Sequence, residues 1–250
     1  MPANSTRRPP SSVAPKGPDE AAASGRGLAG AVIAFDLDGT LVDTAPDLLG
    51  TLNVILAEEG LRPLGLEHAR GLIGHGARRL LERGFQAAGE PLPDERIPAL
   101  FDRFIARYRA HIADESRPFP GVEAALEALQ AAGARLAVCT NKPTGLSNAL
   151  LDALDLSRFF AAVVGGDTAP APKPDPRHLE AAIAAAGGVS SRAIMVGDAA
   201  TDAGAARALH VPLILVSFGY TETPAAELEP DILIDHFDAL PAACLRLLDA

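Results

Sequence analysis

Tryptophan is absent from these 250 residues, and tyrosine, cysteine and methionine occur twice each. Two cysteines allow one disulfide at most, and their settings argue against it. Cys139 falls in an apolar run and Cys244 in a C-terminal helical pattern, so both read as buried free thiols. No uncharged apolar stretch approaches the roughly 20 residues that a bilayer-spanning helix needs. Positive charge is also scarce: 22 Lys and Arg stand against 32 Asp and Glu, a net charge of −10. Such a surface attracts neither nucleic acid nor an anionic membrane. A small anionic ligand would have to be held locally, by a metal ion, a lysine or a helix N-terminus. Residues 1–29 have almost no large apolar side chain and are rich in Pro, Ser, Ala and Gly. They cannot offset the entropy of ordering, and a disordered tail is expected. No apolar segment follows Arg7 and Arg8, which argues against a secretory signal, and Asp19 and Glu20 argue against a transit peptide. A cytoplasmic protein is the expectation.

Against these absences, one segment is dense in information. Residues 31–44 read Ala-Val-Ile-Ala-Phe-Asp-Leu-Asp-Gly-Thr-Leu-Val-Asp-Thr. An apolar run ends in two aspartates spaced i, i+2, and residues two apart in a strand point to one side. Asp36 and Asp38 would therefore sit together where a buried strand meets solvent, the usual ligand position in an open α/β sheet. Two carboxylates this close repel, so one is protonated or a cation lies between them. Gly39 allows a tight turn just beyond. A calcium loop of EF-hand type would need glycine at its sixth position, and here glycine is fourth. A solvated Asp-Gly turn is the plain alternative for this fragment alone.

The rest of the chain argues against that alternative. The apolar run Leu136–Cys139 ends in Thr140, Asn141 and Lys142. Lys173 sits in the loop Ala-Pro-Ala-Pro-Lys-Pro-Asp-Pro, residues 169–176, too proline-rich for a helix or central strand. A third run, Ala193–Gly197, ends in Asp198 with Asp202 four residues on. Each residue alone has an ordinary reading, a cap for Thr140 and a solvated cation for Lys173.

Two textures follow one another along the chain. From Asp47 to about Glu115 the apolar spacing is helical: Leu48, Leu49, Leu52, Ile55 and Leu56, then Leu80, Leu81 and Phe85, then Ile97 to Tyr108. Beyond Gly121 short apolar strands at 136–139, 162–164, 194–196, 213–216 and 232–234 alternate with Ala/Leu-rich helices. Such alternation implies a parallel sheet with right-handed crossovers.

The ordered set Asp36-Leu-Asp38-Gly39-Thr40, Thr140-Asn141, Lys173-Pro174 and Gly197-Asp198 with Asp202 resembles the four motifs of the haloacid dehalogenase superfamily, in its phosphatase branch. The resemblance runs from about Ala31 to the end. Within the family the chain looks most like bacterial phosphoglycolate phosphatases, through Thr44–Leu48, Gly74-His75-Gly76, Thr140–Pro143, Gly165–Asp167, Lys173–Pro176 and Phe218–Tyr220. Ala199 departs from the serine common at that position. The implied fold is α/β, a doubly wound, Rossmann-like parallel sheet with an inserted all-α cap. Its parts would be a core of residues 30–46 and 117–250 and a cap of 47–116, joined by hinges near Asp43–Asp47 and Ser116–Gly121.

The resemblance also implies roles. Asp36 would be the nucleophile, forming an aspartyl-phosphate, and Asp38 the general acid and base. Magnesium would be held by Asp36, the backbone carbonyl of Asp38 and Asp198, with Asp202 behind them. Thr140, the Asn141 backbone and Lys173 would hold phosphate oxygens. An acid at Asp38 favours phosphoryl transfer over dehalogenation, because a departing halide needs no proton. Thr40 leans toward phosphatase over phosphomutase, and the absence of lysine from 47–115 removes the Schiff-base phosphonate hydrolases. The expected partner is a small phosphate ester, 2-phosphoglycolate first, with a sugar phosphate, pyrophosphate or another metabolite as the alternative. Nothing in the sequence sets the oligomeric state. His75, Gly76 and Arg78, where a loop enters a helix, are the candidate specificity residues; Phe104 and Tyr108 read as a core stripe rather than a substrate platform.

Overall fold

The computed structural model describes residues 27–68, 72–74 and 76–249. Its centre is a six-stranded sheet. Strand β1 (Val32–Phe35) lies between β4 (Arg135–Thr140) and β6 (Ala193–Gly197), with β5 (Phe160–Gly165) outside β4. On the other side β7 (Leu213–Val216) and β8 (Ile232–Ile234) continue the sheet, in the order β5-β4-β1-β6-β7-β8. Every neighbouring pair is parallel, in register Val32 with Arg135 and with Ala193. All five strands expected beyond Gly121 are present, each within two residues of its apolar run.

Side-chain alternation along these strands divides the core in two. Ile33, Phe35, Leu136, Val138, Ile194, Val196, Ile214 and Val216 pack on one face. That face is covered by α4 (Val122–Ala131), α5 (Thr144–Ala153) and α8 (Leu240–Leu248). Val32, Ala34, Ala137, Cys139, Met195, Leu213 and Leu215 pack on the other, under α6 (Pro176–Ala185) and α7 (Ala200–Leu209). Both faces are covered, as a parallel sheet requires. Helix α6 starts where the sequence dictates: Asp175 caps it by accepting from the Arg177 N–H, and Pro176 opens it. Cys139 and Cys244 are buried free thiols, and burial pushes each up to about 12. Among the described residues no helix is long and apolar enough to cross a membrane.

Residues 45–110 supply a separate helical layer. Helix α1 (Ala45–Glu58), α2 (Ala77–Ala87) and α3 (Ile97–Ala110) pack through Leu52, Ile55, Leu56, Leu80, Leu81, Phe85, Leu100 and Phe104. Each such fully buried side chain contributes about 1.5–3 kcal/mol. The chain leaves the sheet through β2 (Val42–Asp43) and returns through β3 (Arg117–Pro118), which pair antiparallel. Asp47 fastens this crossing. Its buried carboxylate accepts from the N–H groups of Glu115 (3.0 Å) and Ser116 (2.8 Å) and from the Ser116 hydroxyl (2.6 Å).

One boundary of the expected tail needs correction. Residues 1–26 lie outside the described residues, but 27–29 are part of the fold: Leu28 is buried in the core. The Arg192 guanidinium donates to the carbonyls of Gly27 (2.7 Å) and Ala29 (3.2 Å). A single leucine next to small residues gave no periodicity, so only the packing identifies it.

Candidate active site

The sheet changes winding direction between β1 and β6, since β1 leads to one edge and β6 to the other. A crevice opens at the carboxyl ends there, the position where open α/β sheets bind ligands. Asp36 follows β1 and Asp198 follows β6, so the two carboxylates meet in it. With Asp202, from the first turn of α7, their oxygens lie within 4.8 Å of one another, and all three residues are buried. The Lys173 ammonium bridges Asp36 (3.0 Å) and Asp202 (2.7 Å).

The backbone is shaped to make this possible. Gly39 has φ +83°, and a Cβ there would stand 2.7 Å from Asp198 Oδ2. Gly219 has no positive φ, but a Cβ on it would meet Asp198 Cβ at 2.2 Å. Asp198 accepts from the Thr40 hydroxyl (3.1 Å) and the Tyr220 N–H (2.7 Å). Asp202 Oδ2 accepts the N–H groups of Asp198 (3.1 Å) and Ala199 (3.0 Å), capping α7 without a serine at 199. The loop carrying Lys173 is clamped by the Asn141 side chain, which accepts from the Lys173 N–H (2.8 Å) and donates to its carbonyl (3.1 Å).

Burial raises Asp36 to about 6, against the pull of Lys173 and with Asp202 and Asp38 adding to the rise. Burial, then Asp202 and Asp36, hold Asp198 well above the usual carboxylate range. Lys173 stays raised because Asp202 and Asp36 outweigh the burial that would neutralise it. Three buried carboxylates against one ammonium leave an excess of negative charge, and an all-oxygen donor set suits a hard divalent cation.

Asp38 sits apart from this cluster. The Lys142 ammonium holds both its oxygens, at 2.9 and 3.2 Å, and also donates to the Tyr108 hydroxyl at 2.8 Å. Asp36, Asp38, Thr140 and Asn141 form the floor of a cleft of about 530 Å³, counting its open mouth. Leu48, Leu72, Ile73, Leu80, Phe104 and Leu146 wall it.

The residues expected to shape the cleft meet different outcomes. Arg78 is on the outer face of α2, paired with Glu82 at 2.9 Å, and does not line the cleft. The buried stripe Leu80, Leu81, Gly84 and Phe85 fixes the inner face, and Arg78 falls about 200° from Leu80. Gly76 does line the cleft, at the head of α2, whereas His75 lies outside the described residues. Tyr108 and Phe104 are core, as expected, yet both also line the cleft.

Lys142 escaped the sequence reading as a site residue. A signal was available: Lys16, Lys142 and Lys173 are the only lysines among 22 cationic side chains. Both lysines among the described residues are buried on aspartates of this site.

This arrangement of carboxylates and lysine on a doubly wound sheet defines a hydrolase class, and the chain belongs to the haloacid dehalogenase-like hydrolase family, whose model matches residues 31–210. Within that family it is 61% identical, over 88% of its length and 93% of the relative's, to a phosphoglycolate phosphatase of Caulobacter vibrioides. It is 50% identical to the phosphoglycolate phosphatase of Agrobacterium fabrum, over 86% of this chain and 92% of that one. A crystal structure described as a predicted phosphoglycolate phosphatase from Haemophilus somnus superposes with a TM-score of 0.80 at 29% identity. It covers 88% of this chain and 99% of its own.

Proposed function

We propose that the chain is a magnesium-dependent phosphatase of small phosphate monoesters, with 2-phosphoglycolate as its substrate. The observation that carries this is the division of labour between two aspartates two residues apart. Asp36 is held by Lys173 beside the acidic cluster, and Asp38 is held away from it by Lys142. In this reading Asp36 attacks phosphorus and the P–O bond to the alcohol breaks, leaving an aspartyl-phosphate. Asp38 gives its proton to the departing alkoxide, then takes one from the water that attacks the phosphorus of the intermediate. Thr140, the Asn141 backbone and Lys173 bind the phosphoryl oxygens as negative charge builds on them. Asp36, Asp198 and the Asp38 carbonyl would hold magnesium, with Asp202 behind, and a divalent ion bound there would favour ionised Asp36 and offset phosphoryl charge.

Residues 47–116 act as a cap over a core of 30–46 and 117–250, to which 27–29 also belong. A cap that carries apolar walls to the cleft excludes water from the first half-reaction. The relatives named for phosphoglycolate support 2-phosphoglycolate as the substrate.

The test is kcat/KM with magnesium over a panel of phosphate esters, with Asp36→Asn as blank. A lead of about 100-fold for 2-phosphoglycolate, about 2.7 kcal/mol of transition-state discrimination, is the expected result. Esters clustered within about tenfold would keep the chemistry and overturn the substrate.

A further inference from the structure

Lys142 has no part in the reaction as derived so far, although three elements of the site meet on its ammonium. It stands two residues beyond Thr140 at the end of β4, and it is almost fully buried. Its donors go to both oxygens of Asp38 and to the hydroxyl of Tyr108, and its Nζ is 4.5 Å from the centre of the Tyr108 ring. Tyr108 belongs to α3 of the helical layer, where it stacks on Phe104. The Asp38 side chain is 16% exposed, and among the described residues Lys142 is its hydrogen-bond and ion-pair partner. An acid that must meet one leaving oxygen gains from a fixed rotamer, because misplacement by about 1 Å can cost about 100-fold in rate.

The choice of lysine supports the same reading. This chain uses arginine for nearly every cation, and the described arginine ion pairs are all at partly or well exposed side chains. A planar guanidinium would favour a side-by-side, two-point pairing with a carboxylate. The compact ammonium instead serves the Asp38 carboxylate and the Tyr108 oxygen, which lie in different directions.

We infer that Lys142 is a positioning residue for Asp38, itself seated by Tyr108, so that the acid–base group is aimed only when α3 lies over the sheet ends. The inference rests on the phosphatase reading above. It ties correct aim of the proton donor to the helical layer through one hydrogen bond.

The experiment compares Lys142→Met and Tyr108→Phe with the full-length wild type on 2-phosphoglycolate, ethyl phosphate and 2,2,2-trifluoroethyl phosphate, all with magnesium. The last two esters are of similar size, but trifluoroethanol is much the stronger acid and its alkoxide departs with less proton help. Lys142→Met is expected to lower kcat on 2-phosphoglycolate and ethyl phosphate by about 100-fold, and on the trifluoroethyl ester by less than about tenfold, with KM little changed. Tyr108→Phe keeps the charge and the packing, and should show the same pattern at about three- to tenfold. The thermal transition of each variant serves as its own fold control.

Equal losses on the ethyl and trifluoroethyl esters would overturn the inference, since Lys142 would then serve the phosphoryl group. A KM increase confined to 2-phosphoglycolate, with kcat unchanged, would also overturn it and make Lys142 a clamp for the substrate carboxylate. A wild type that releases phosphate from none of the three would sink the phosphatase reading as well. That outcome is told apart by the wild-type rates alone.

Discussion

At the ends of β1, β4 and β6 the candidate site side chains are polar or charged, buried or nearly so, and most are tied to specific partners. Across the cleft, residues 45–110 present Leu48, Leu72, Ile73, Leu80 and Phe104, with the Tyr108 hydroxyl as the polar exception. The two sides do different work. Buried charges demand fixed partners, because an unpaired one costs several kcal/mol, so the sheet ends are over-determined by Lys173, Asn141, Thr40 and Tyr220. An apolar wall demands only shape and volume, and cores tolerate substitutions that keep both. In the proposed reading, chemistry is specified residue by residue on one side, and substrate fit is spread over many residues on the other.

The comparison breaks first, and by most, at the sheet ends. Asp36→Asn and Asp198→Ala should each lower kcat by at least about 1,000-fold, with the folded state retained in circular dichroism. Near-normal turnover in folded Asp36→Asn would remove the nucleophile from the account. The next effect falls where the two sides join. Asp47→Ala strands the Glu115 and Ser116 N–H groups, and should cost about 2–4 kcal/mol in denaturant unfolding. It should do so without changing the pH dependence of kcat.

A third test uses the charge imbalance of the site. Burial raises the Asp36 carboxyl to about 6, so without metal this group binds its proton more tightly folded than unfolded. Its contribution to stability is present below the ordinary carboxylate range and is lost as pH rises through about 6. A divalent ion competes with that proton. The gain in Tm on adding magnesium should therefore be several degrees at pH 7.5 and much smaller at pH 5, as measured by calorimetry. A gain independent of pH would place the ion elsewhere. The smallest effect belongs to the helical side: Arg78→Ala should change kcat/KM by less than about twofold, because the side chain faces solvent.

The same contrast explains what the sequence revealed. Asp36, Asp38, Thr140, Asn141 and Asp198 stand at or just beyond the ends of apolar runs, so local pattern places them at strand ends, and the sheet order brings them together; Lys173 in its proline-rich loop and Asp202 in the first turn of α7 join them there. The strands are legible because each reads as a short continuous apolar run, and the four central ones, β1, β4, β6 and β7, are buried along almost their whole length. Arg78 shows the limit of local pattern: spacing finds its helix, but only the buried face of Leu80, Leu81 and Phe85 tells which residues turn away from the cleft. Periodicity places Tyr108 in the core, and the structure adds a second role: its ring packs inward while its hydroxyl meets Lys142. A stripe of apolar positions carries no mark of which residue touches the site across a sequence gap of 34 residues. Leu28 failed for the same reason, since its packing is made by residues distant in sequence.

The central claim is that Asp36 takes the phosphoryl group before water does. Acid-quenching the wild type during turnover of 2-phosphoglycolate with magnesium, followed by peptide mass spectrometry, tests it directly. The account predicts one phosphoryl group on the peptide containing Asp36, absent from Asp36→Asn. Steady turnover with no phosphopeptide, or with the phosphoryl group on another residue, would contradict it.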